Sequence, residues 1–592
     1  MLLVQAGFFN IPSWPVFTNF LKAQIARPFS GDLLHWQWLL LFICLLVSTH
    51  QWLIPSAWFT RTANRFRNYA QNRSRAIWIC MLCPAVVRVA LLPAISIKPP
   101  SVHDEFSWLL MADTFRLGRL TNPTHPFWQH FESIHIIQRP TYASMYPPGF
   151  GAFLAIGALL HHPWLGVLLS VSLLCGCLCW MLQAWVPPVW AFGGALLAAL
   201  QIGIGSYWMN SFVGGAPAPA LAGALVLGSI PRFLRKPVPK YAVLFALGTV
   251  LLVNTRPFEG TILAVLCAAL TFFWYRTRVL GRSIIRWQAL VPAVVVLAAG
   301  AAFTLYYSWR VTGNALKPAY VVNHETYGWP ENFAFLPPVK VAHRHPNLKN
   351  MQDLEVARRA RYSTFGRMLD SLSSRYHINW EFFVGPGLTL PLLMLPWTIR
   401  SRKLRPLLYI VVIMFGINTL QLMAYPQHVA GMTGIFYLLL VGGLRQLYVQ
   451  AHLRNLMPER VMAGLALCVA IGAGLSLFME PLHFVPSSFW EWTHWPYRDA
   501  RAALATRLEQ LPGQHVIFVR YGANHNAHEE WVYNAARIDR SKVVWANAMN
   551  WKDDTALRNY YKNRQAWIIE PDTDPSSFLP FTSKTYGETA TP

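Results

Sequence analysis

Residues 164–184 read Trp164-Leu165-Gly166-Val167-Leu168-Leu169-Ser170-Val171-Ser172-Leu173-Leu174-Cys175-Gly176-Cys177-Leu178-Cys179-Trp180-Met181-Leu182-Gln183-Ala184, with no charge anywhere in the run. As a helix this stretch is about 31 Å long, which matches the hydrocarbon core of a bilayer. Apolar runs of comparable length recur from near residue 36 to residue 479. Of the 592 residues, 54% are hydrophobic and 13% charged, about half the charged share of a soluble protein. A soluble multidomain enzyme, a disordered chain and a fibre are all excluded.

The formal net charge of +24 is unevenly distributed. Residues 480–592 hold 12 basic and 13 acidic residues, so the preceding 479 carry the whole excess. It falls mostly in short clusters between apolar runs, the bias of cytoplasmic loops in membrane proteins, and not in a nucleic-acid-binding face. Five clusters mark the cytoplasmic side: Arg61–Arg75, Arg232–Lys240, Arg276–Arg286, Arg400–Arg405 and Arg445–Arg460. Between them the spans are expected at 76–96, 241–253, 261–275, 287–308, 380–399, 407–424, 429–444 and 461–479. Outer loops follow at 97–146 and 309–378. Four apolar segments (147–161, 164–184, 188–206 and 211–230) lie where no Lys or Arg orients them. An odd number of crossings is needed there, so one segment is re-entrant, broken or merged with a neighbour.

The expected fold is an α-helical polytopic membrane protein of about 11–13 transmembrane helices with a small C-terminal α/β domain. Residues 1–75 form an N-terminal segment with one span and a basic loop. Residues 76–479 form the membrane domain. Residues 480–592 form the extracytoplasmic domain, with strands at 515–519, 542–545 and 566–569 and helices near 498–511 and 553–564, a parallel βαβ pattern. All eight cysteines fall in apolar runs and read as small core residues, not as disulfides or a zinc site. The N-terminus lacks a basic start and cleavage site, so a removable signal peptide is not expected.

Only thirteen acidic residues precede the tail, and two of them, Asp104 and Glu105, are adjacent in Ser101-Val102-His103-Asp104-Glu105-Phe106 just beyond the 76–96 span. A helix is expected through Phe115, capped by Ser101, with the acids complementing its dipole. Arg88 lies halfway along the preceding span, where an unpaired charge costs about 2.5–3.5 kcal/mol, so a polar partner is expected. Arg256 and Glu259 sit at the tip of a short hairpin, Asn254-Thr255-Arg256-Pro257-Phe258-Glu259-Gly260. Tyr142-Ala143-Ser144-Met145-Tyr146-Pro147-Pro148-Gly149 opens the following helix, where proline is tolerated. His103, His125, His130 and His135 share the loop with Glu132 at irregular spacing. No metal ligands are assigned from that spacing, and a divalent metal, Mg or Mn, is admitted without being required.

The acidic pair, the helix after it and the Tyr-Pro-Pro that opens the next span resemble the GT-C superfamily of integral membrane glycosyltransferases. Within it the chain is similar to family 39, with protein O-mannosyltransferases and lipid A aminoarabinose transferases, and to a bacterial subset with an HDEFSxLL-type motif. Further elements of the likeness are Gly118-Arg119-Leu120-Thr121-Asn122-Pro123-Thr124-His125-Pro126, Tyr207-Trp208-Met209-Asn210-Ser211 with Gly214-Gly215-Ala216, and the Asn254–Gly260 turn. The resemblance implies an inverting glycosyltransferase of the inner membrane, its site and C-terminal domain on the periplasmic side. It implies a polyprenyl-phosphate-linked sugar as donor and a lipid, protein or glycan hydroxyl as acceptor. Asp104 matches the catalytic acidic position and would be the general base, with Glu105 assisting or positioning the acceptor; partial desolvation can raise such a carboxylate's pKa, offset by nearby cations. Arg256 and Arg139 are candidates to stabilise the leaving phosphate, followed by His428. Arg88 would hold the acid pair, and Tyr146 and Glu259 would line the substrate site. The loop Val519–Glu530, directly after a strand, is a candidate acceptor-binding element. A secondary transporter and a non-catalytic envelope-polysaccharide assembly protein stand as alternatives.

Overall fold

The computed structural model describes residues 32–50, 56–279, 287–330, 333–423, 425–477 and 498–586. The expected segment 1–31, part of the Arg276–Arg286 cluster and the junction at 479–480 lie outside the described residues.

Among the described residues, six helices are long and apolar enough to cross a membrane: Trp164–Trp185, Pro217–Arg235, Pro257–Arg276, Val291–Thr312, Ala430–Leu453 and Pro458–Leu475. Shorter apolar helices are Gln37–Thr49, Pro148–Leu159, Pro188–Ile204, Pro239–Val253 and Arg405–Asn418. Their outer faces expose large apolar side chains, among them Val265, Phe272, Phe273, Val294 and Val412, as a lipid-covered surface requires. The inner faces bury a continuous core that includes Leu174, Leu178, Met181, Ala224, Leu227 and Leu438. Small residues set the close approaches: a Cβ on Gly228 would lie 2.2 Å from the Trp180 ring. The chain is a multi-pass helical membrane protein, as the composition requires.

The unoriented stretch resolves through helix length. Of its four apolar segments, the first forms only Pro148–Leu159, about 18 Å long and too short for a full crossing. The other three form Trp164–Trp185, the shorter Pro188–Ile204 and Pro217–Arg235, three elements where the charge pattern calls for an odd number of crossings. The second of these ends in a π-turn, Ala199–Ile204, before the short helix Tyr207–Asn210. The expected span 380–399 is not one helix. It is split into the end of Phe365–Phe383, then Gly385–Leu393 and Leu395–Thr398. Gly385 sits at φ +58 and Pro386, Pro391 and Pro396 interrupt the amide ladder. The outer stretch 309–378 holds two further helices, Ala319–Tyr327 and Pro346–Ala360.

Near the C-terminus, His515–Val519 is fully buried and pairs in parallel with both Val543–Asn547 and Gln565–Ile569. Leu579–Pro580 adds an antiparallel edge. The helix Trp551–Tyr560 therefore links two strands that flank the central one and do not touch each other. This sheet region is tied to residues 101–146. Val102 bridges Glu529, the Tyr142 hydroxyl donates to the Asn534 carbonyl at 2.8 Å, and the Asn547 amide donates to the Glu132 carbonyl at 2.8 Å.

Candidate active site

The helix His103–Arg116 starts at Val102, and its cap is not Ser101. The Ser101 hydroxyl has no hydrogen-bond partner among the described residues. Glu105, one turn in, reaches back and accepts the amides of Ser101 (2.9 Å) and Val102 (3.3 Å). It also accepts the Phe212 amide at 3.2 Å. A carboxylate in this position satisfies orphan donors and complements the dipole. Phe106, Trp108, Leu110 and Met111 bury the rest of the helix, and Asp104 is left facing a cavity.

Opposite it, a short hairpin pairs Ile136–Ile137 with Ala143–Ser144. Ser107 anchors this hairpin to the helix by donating to the His135 carbonyl at 2.7 Å and contacting the Ser144 hydroxyl at 2.7 Å. His135, one residue before the hairpin, holds φ +64, a left-handed conformation that β-carbon-bearing residues rarely adopt. Its ring comes to lie against Asp104. Tyr146 follows the hairpin, its ring stacked on Trp108 at 4.4 Å.

Four side chains then converge. Asp104 Oδ1 lies 2.7 Å from His135 Nδ1, 3.0 Å from His103 Nδ1 and 2.6 Å from the Tyr146 hydroxyl, which donates to it. The two Nδ1 atoms are 3.0 Å apart. On its far side, His103 Nε2 meets His528 Nδ1 at 3.0 Å. Burial acts to raise the Asp104 pKa, but the His135 charge and the hydrogen bonds from His103 and His135 outweigh it, holding the carboxyl well below the ordinary range. Of the two opposing effects expected from the sequence, burial and neighbouring positive groups, the second prevails, supplied by imidazoles. Burial, reinforced by the neighbouring His135, pushes His103 down to about 4.

The cavity measures about 280 Å³. Besides Asp104 and Tyr146 it is lined by Arg256, Glu259, Arg358 and His428. The Arg256 guanidinium donates to the Gly214 carbonyl at 2.6 Å and makes no ion pair among the described residues. Gly214 holds φ +75, and a Cβ there would press on Gln427 at 3.0 Å, so the turn that offers this carbonyl needs glycine. Glu259 does not pair with Arg256; it accepts the Gln421 amide at 3.2 Å. His428 Nδ1 accepts the Tyr425 amide at 3.2 Å, which places its ring proton on Nε2. Burial, with Arg256 and Arg375 nearby, lowers His428 to about 3, so it is a neutral donor. Arg358 pairs with the buried Glu355. A smaller crevice shares Arg256, Glu259 and His428 and is otherwise lined by apolar residues that include Leu252, Leu263, Met414 and Met432.

The structure therefore brings together Asp104, Tyr146, Arg256, Glu259 and His428 of the residues singled out from sequence. Three others stand apart. Glu105 is 0% exposed and absent from the cavity wall. Arg88 donates to Asn210 Oδ1 (2.7 Å) and to the Ile95 (3.0 Å) and Ser96 (3.5 Å) carbonyls, and lies over Trp164, so it does not grip the acid pair. It braces the 210–212 turn that Glu105 also holds. Arg139 is exposed and stacks on Trp128 at 4.7 Å.

Of the loop histidines, His125 meets Asp539 and His130 meets Asp554, and these contacts hold the sheet region; Glu132 pairs with Arg344. Only His103 and His135 join Asp104, and their three ligand atoms lie close enough to hold a metal ion. His528, Arg358 and Glu355 were not singled out from sequence. Their separation from Asp104 along the chain leaves no local pattern, although His528 lies in the loop after the first strand.

No protein-family model matches the chain, and no curated protein matches it. Solved structures do. The Archaeoglobus fulgidus oligosaccharyltransferase in its apo form is 13% identical over 85% of this chain and 70% of that one, with a TM-score of 0.44. ArnT from Cupriavidus metallidurans in the apo state is 13% identical over 83% of this chain and 92% of that one, with a TM-score of 0.47. The archaeal oligosaccharyltransferase AglB from Archaeoglobus fulgidus, in complex with an inhibitory peptide and a dolichol-phosphate, is 11% identical over 85% and 70%, with a TM-score of 0.41.

Proposed function

We propose that this chain is an inverting glycosyltransferase of the GT-C type that moves a sugar from a polyprenyl-phosphate donor to an acceptor hydroxyl at the periplasmic face of the inner membrane. The observation that carries the reading is one cavity lined by the Asp104 carboxylate together with Arg256, which makes no ion pair among the described residues, and the neutral donor His428. The motif resemblance supplies the substrate class.

All three contacts of Asp104 fall on Oδ1. Oδ2 is the general base: it takes the acceptor hydroxyl proton as that oxygen bonds to the anomeric carbon. The bond from the anomeric carbon to the phosphate oxygen breaks, and the polyprenyl phosphate leaves with the bonding electrons. Arg256 meets the charge that develops there, and His428 Nε2–H donates to the same phosphate. Tyr146, rigid on Trp108, keeps Asp104 in its rotamer. The crevice beside Arg256 and His428 measures only about 10 Å³ and does not hold a prenyl chain as it stands, but its apolar lining of Leu252, Leu263, Met414 and Met432 marks the side on which such a chain would lie.

His528 and Met351 on the cavity wall favour an acceptor approach from the sheet region and the Pro346–Ala360 helix. The reading is tested with purified full-length protein in lipid nanodiscs and a panel of labelled polyprenyl-phosphate sugars. Transfer of label to an endogenous lipid or glycan fraction is expected. Solute movement across the bilayer with no covalent product would favour a transporter.

A further inference from the structure

The His103–Asp104–His135 cluster is not a self-consistent hydrogen-bond network. Its three atoms, two imidazole Nδ1 and one carboxylate Oδ1, form a triangle with edges of 2.7, 3.0 and 3.0 Å. If one Nδ1 carries a proton, the other nitrogen presents its lone pair to the carboxylate. If both carry protons, two N–H groups face each other. With the carboxylate ionised, no assignment makes all three edges attractive.

We propose that these three residues form a divalent transition-metal site. A cation about 2.1 Å from each ligand turns every repulsive edge into a shared bond. At that bond length an octahedral face has edges of about 3.0 Å, matching the triangle. Two histidines and one carboxylate on one face, with the other positions open, form a known arrangement for such metals.

The surroundings agree. A His103 that binds through Nδ1 must carry its proton on Nε2, and His528 Nδ1 stands 3.0 Å away to accept it. The loop bearing His528 is itself clamped on both sides of the cluster. The Glu530 amide donates to the Ser101 carbonyl at 3.1 Å, and the Glu530 carboxylate accepts the Ser133 hydroxyl at 2.9 Å. The Tyr146 hydroxyl orients the ligating Oδ1. Two imidazoles select Zn, Co, Fe, Ni or Mn over Mg or Ca, so the site narrows the Mg-or-Mn expectation. The cluster faces the substrate cavity, where a bound cation would supply Lewis acidity.

This site deepens the transferase reading, yet its test is independent of transfer. Untagged full-length protein in detergent is stripped with chelator and titrated with cobalt(II). One cobalt per chain is expected, with a d–d absorption band that zinc displaces and millimolar magnesium leaves unchanged. His103→Ala and His135→Ala should weaken binding at least 100-fold and His528→Ala about 10-fold. His125→Ala, outside the cluster, should leave it unchanged. If a ligand variant misfolds, His135→Gln together with the melting temperature of stripped protein separates folding from binding. Equal cobalt binding by wild type and the His103→Ala/His135→Ala double variant overturns the site, as does equal competition by magnesium. Loss of transfer with the site intact would count against the transferase reading alone.

Discussion

Asp104 and Glu105 are neighbours in the chain and turn to opposite surroundings. Asp104 lines the cavity with its side chain 17% exposed, whereas Glu105 is wholly buried and accepts three backbone amides. Successive helix positions differ by about 100°, so two adjacent acids cannot share one face. In the proposed reaction Asp104 has the chemical role, whereas Glu105 holds the helix entry and the 210–212 turn in place.

Glu105→Gln should therefore behave as a stability variant. Replacing a charged acceptor of buried amides costs about 1–3 kcal/mol. The expected outcome is a lower melting temperature with transfer per folded molecule within a few-fold of wild type. A large loss of transfer at unchanged stability would return Glu105 to the catalytic machinery.

Arg256 makes no ion pair among the described residues and donates to one carbonyl, so in the proposed reaction its charge would be available to the leaving phosphate. Arg256→Ala should lower kcat/KM for the lipid donor about 100-fold, equivalent to ~2.7 kcal/mol, with Arg256→Lys recovering part of it. Arg139→Ala, on an exposed guanidinium over Trp128, should stay within two-fold.

His428 gives a pH prediction with a definite sign. Unfolded, its imidazole binds a proton near pH 6.5, whereas in the fold burial and Arg256 hold that affinity down to about 3. The unfolded chain binds more protons between these values, so stability is fully present above about pH 6.5 and declines as pH falls toward 3. The melting temperature of wild type should fall more steeply below pH 6 than that of His428→Gln. Transfer should show no break near pH 6.5 arising from this residue.

Arg88 tests the membrane helix. Its guanidinium joins Arg73–Ala90 to Asn210 and to the Ile95 and Ser96 carbonyls. Arg88→Met removes the donor and leaves those acceptors unpaired. Reduced membrane accumulation is expected, with near-normal activity in the folded fraction.

Much of the fold was legible because its cause is local. Apolar length and basic clusters mark the spans, and short continuous apolar runs at 515–519 and 542–545 mark the strands found at His515–Val519 and Val543–Asn547. The 380–399 stretch misled because average hydropathy hides Pro386, Pro391 and Pro396. Asp104 was legible because acids are scarce. Glu105 was not separable from it, since only packing decides which of two adjacent residues faces inward. His135 depends on a left-handed backbone and on the hairpin, and His528 lies 425 residues from His103. Arg88 was recognised as needing a partner, but the partner, Asn210, is a neutral side chain 122 residues away.

The most direct measurement compares Asp104→Asn with wild type, each reconstituted with a labelled polyprenyl-phosphate sugar under single-turnover conditions. The account predicts that the asparagine variant inserts and melts like wild type and loses transfer by at least 1,000-fold. Transfer by Asp104→Asn at a rate near that of wild type would contradict it.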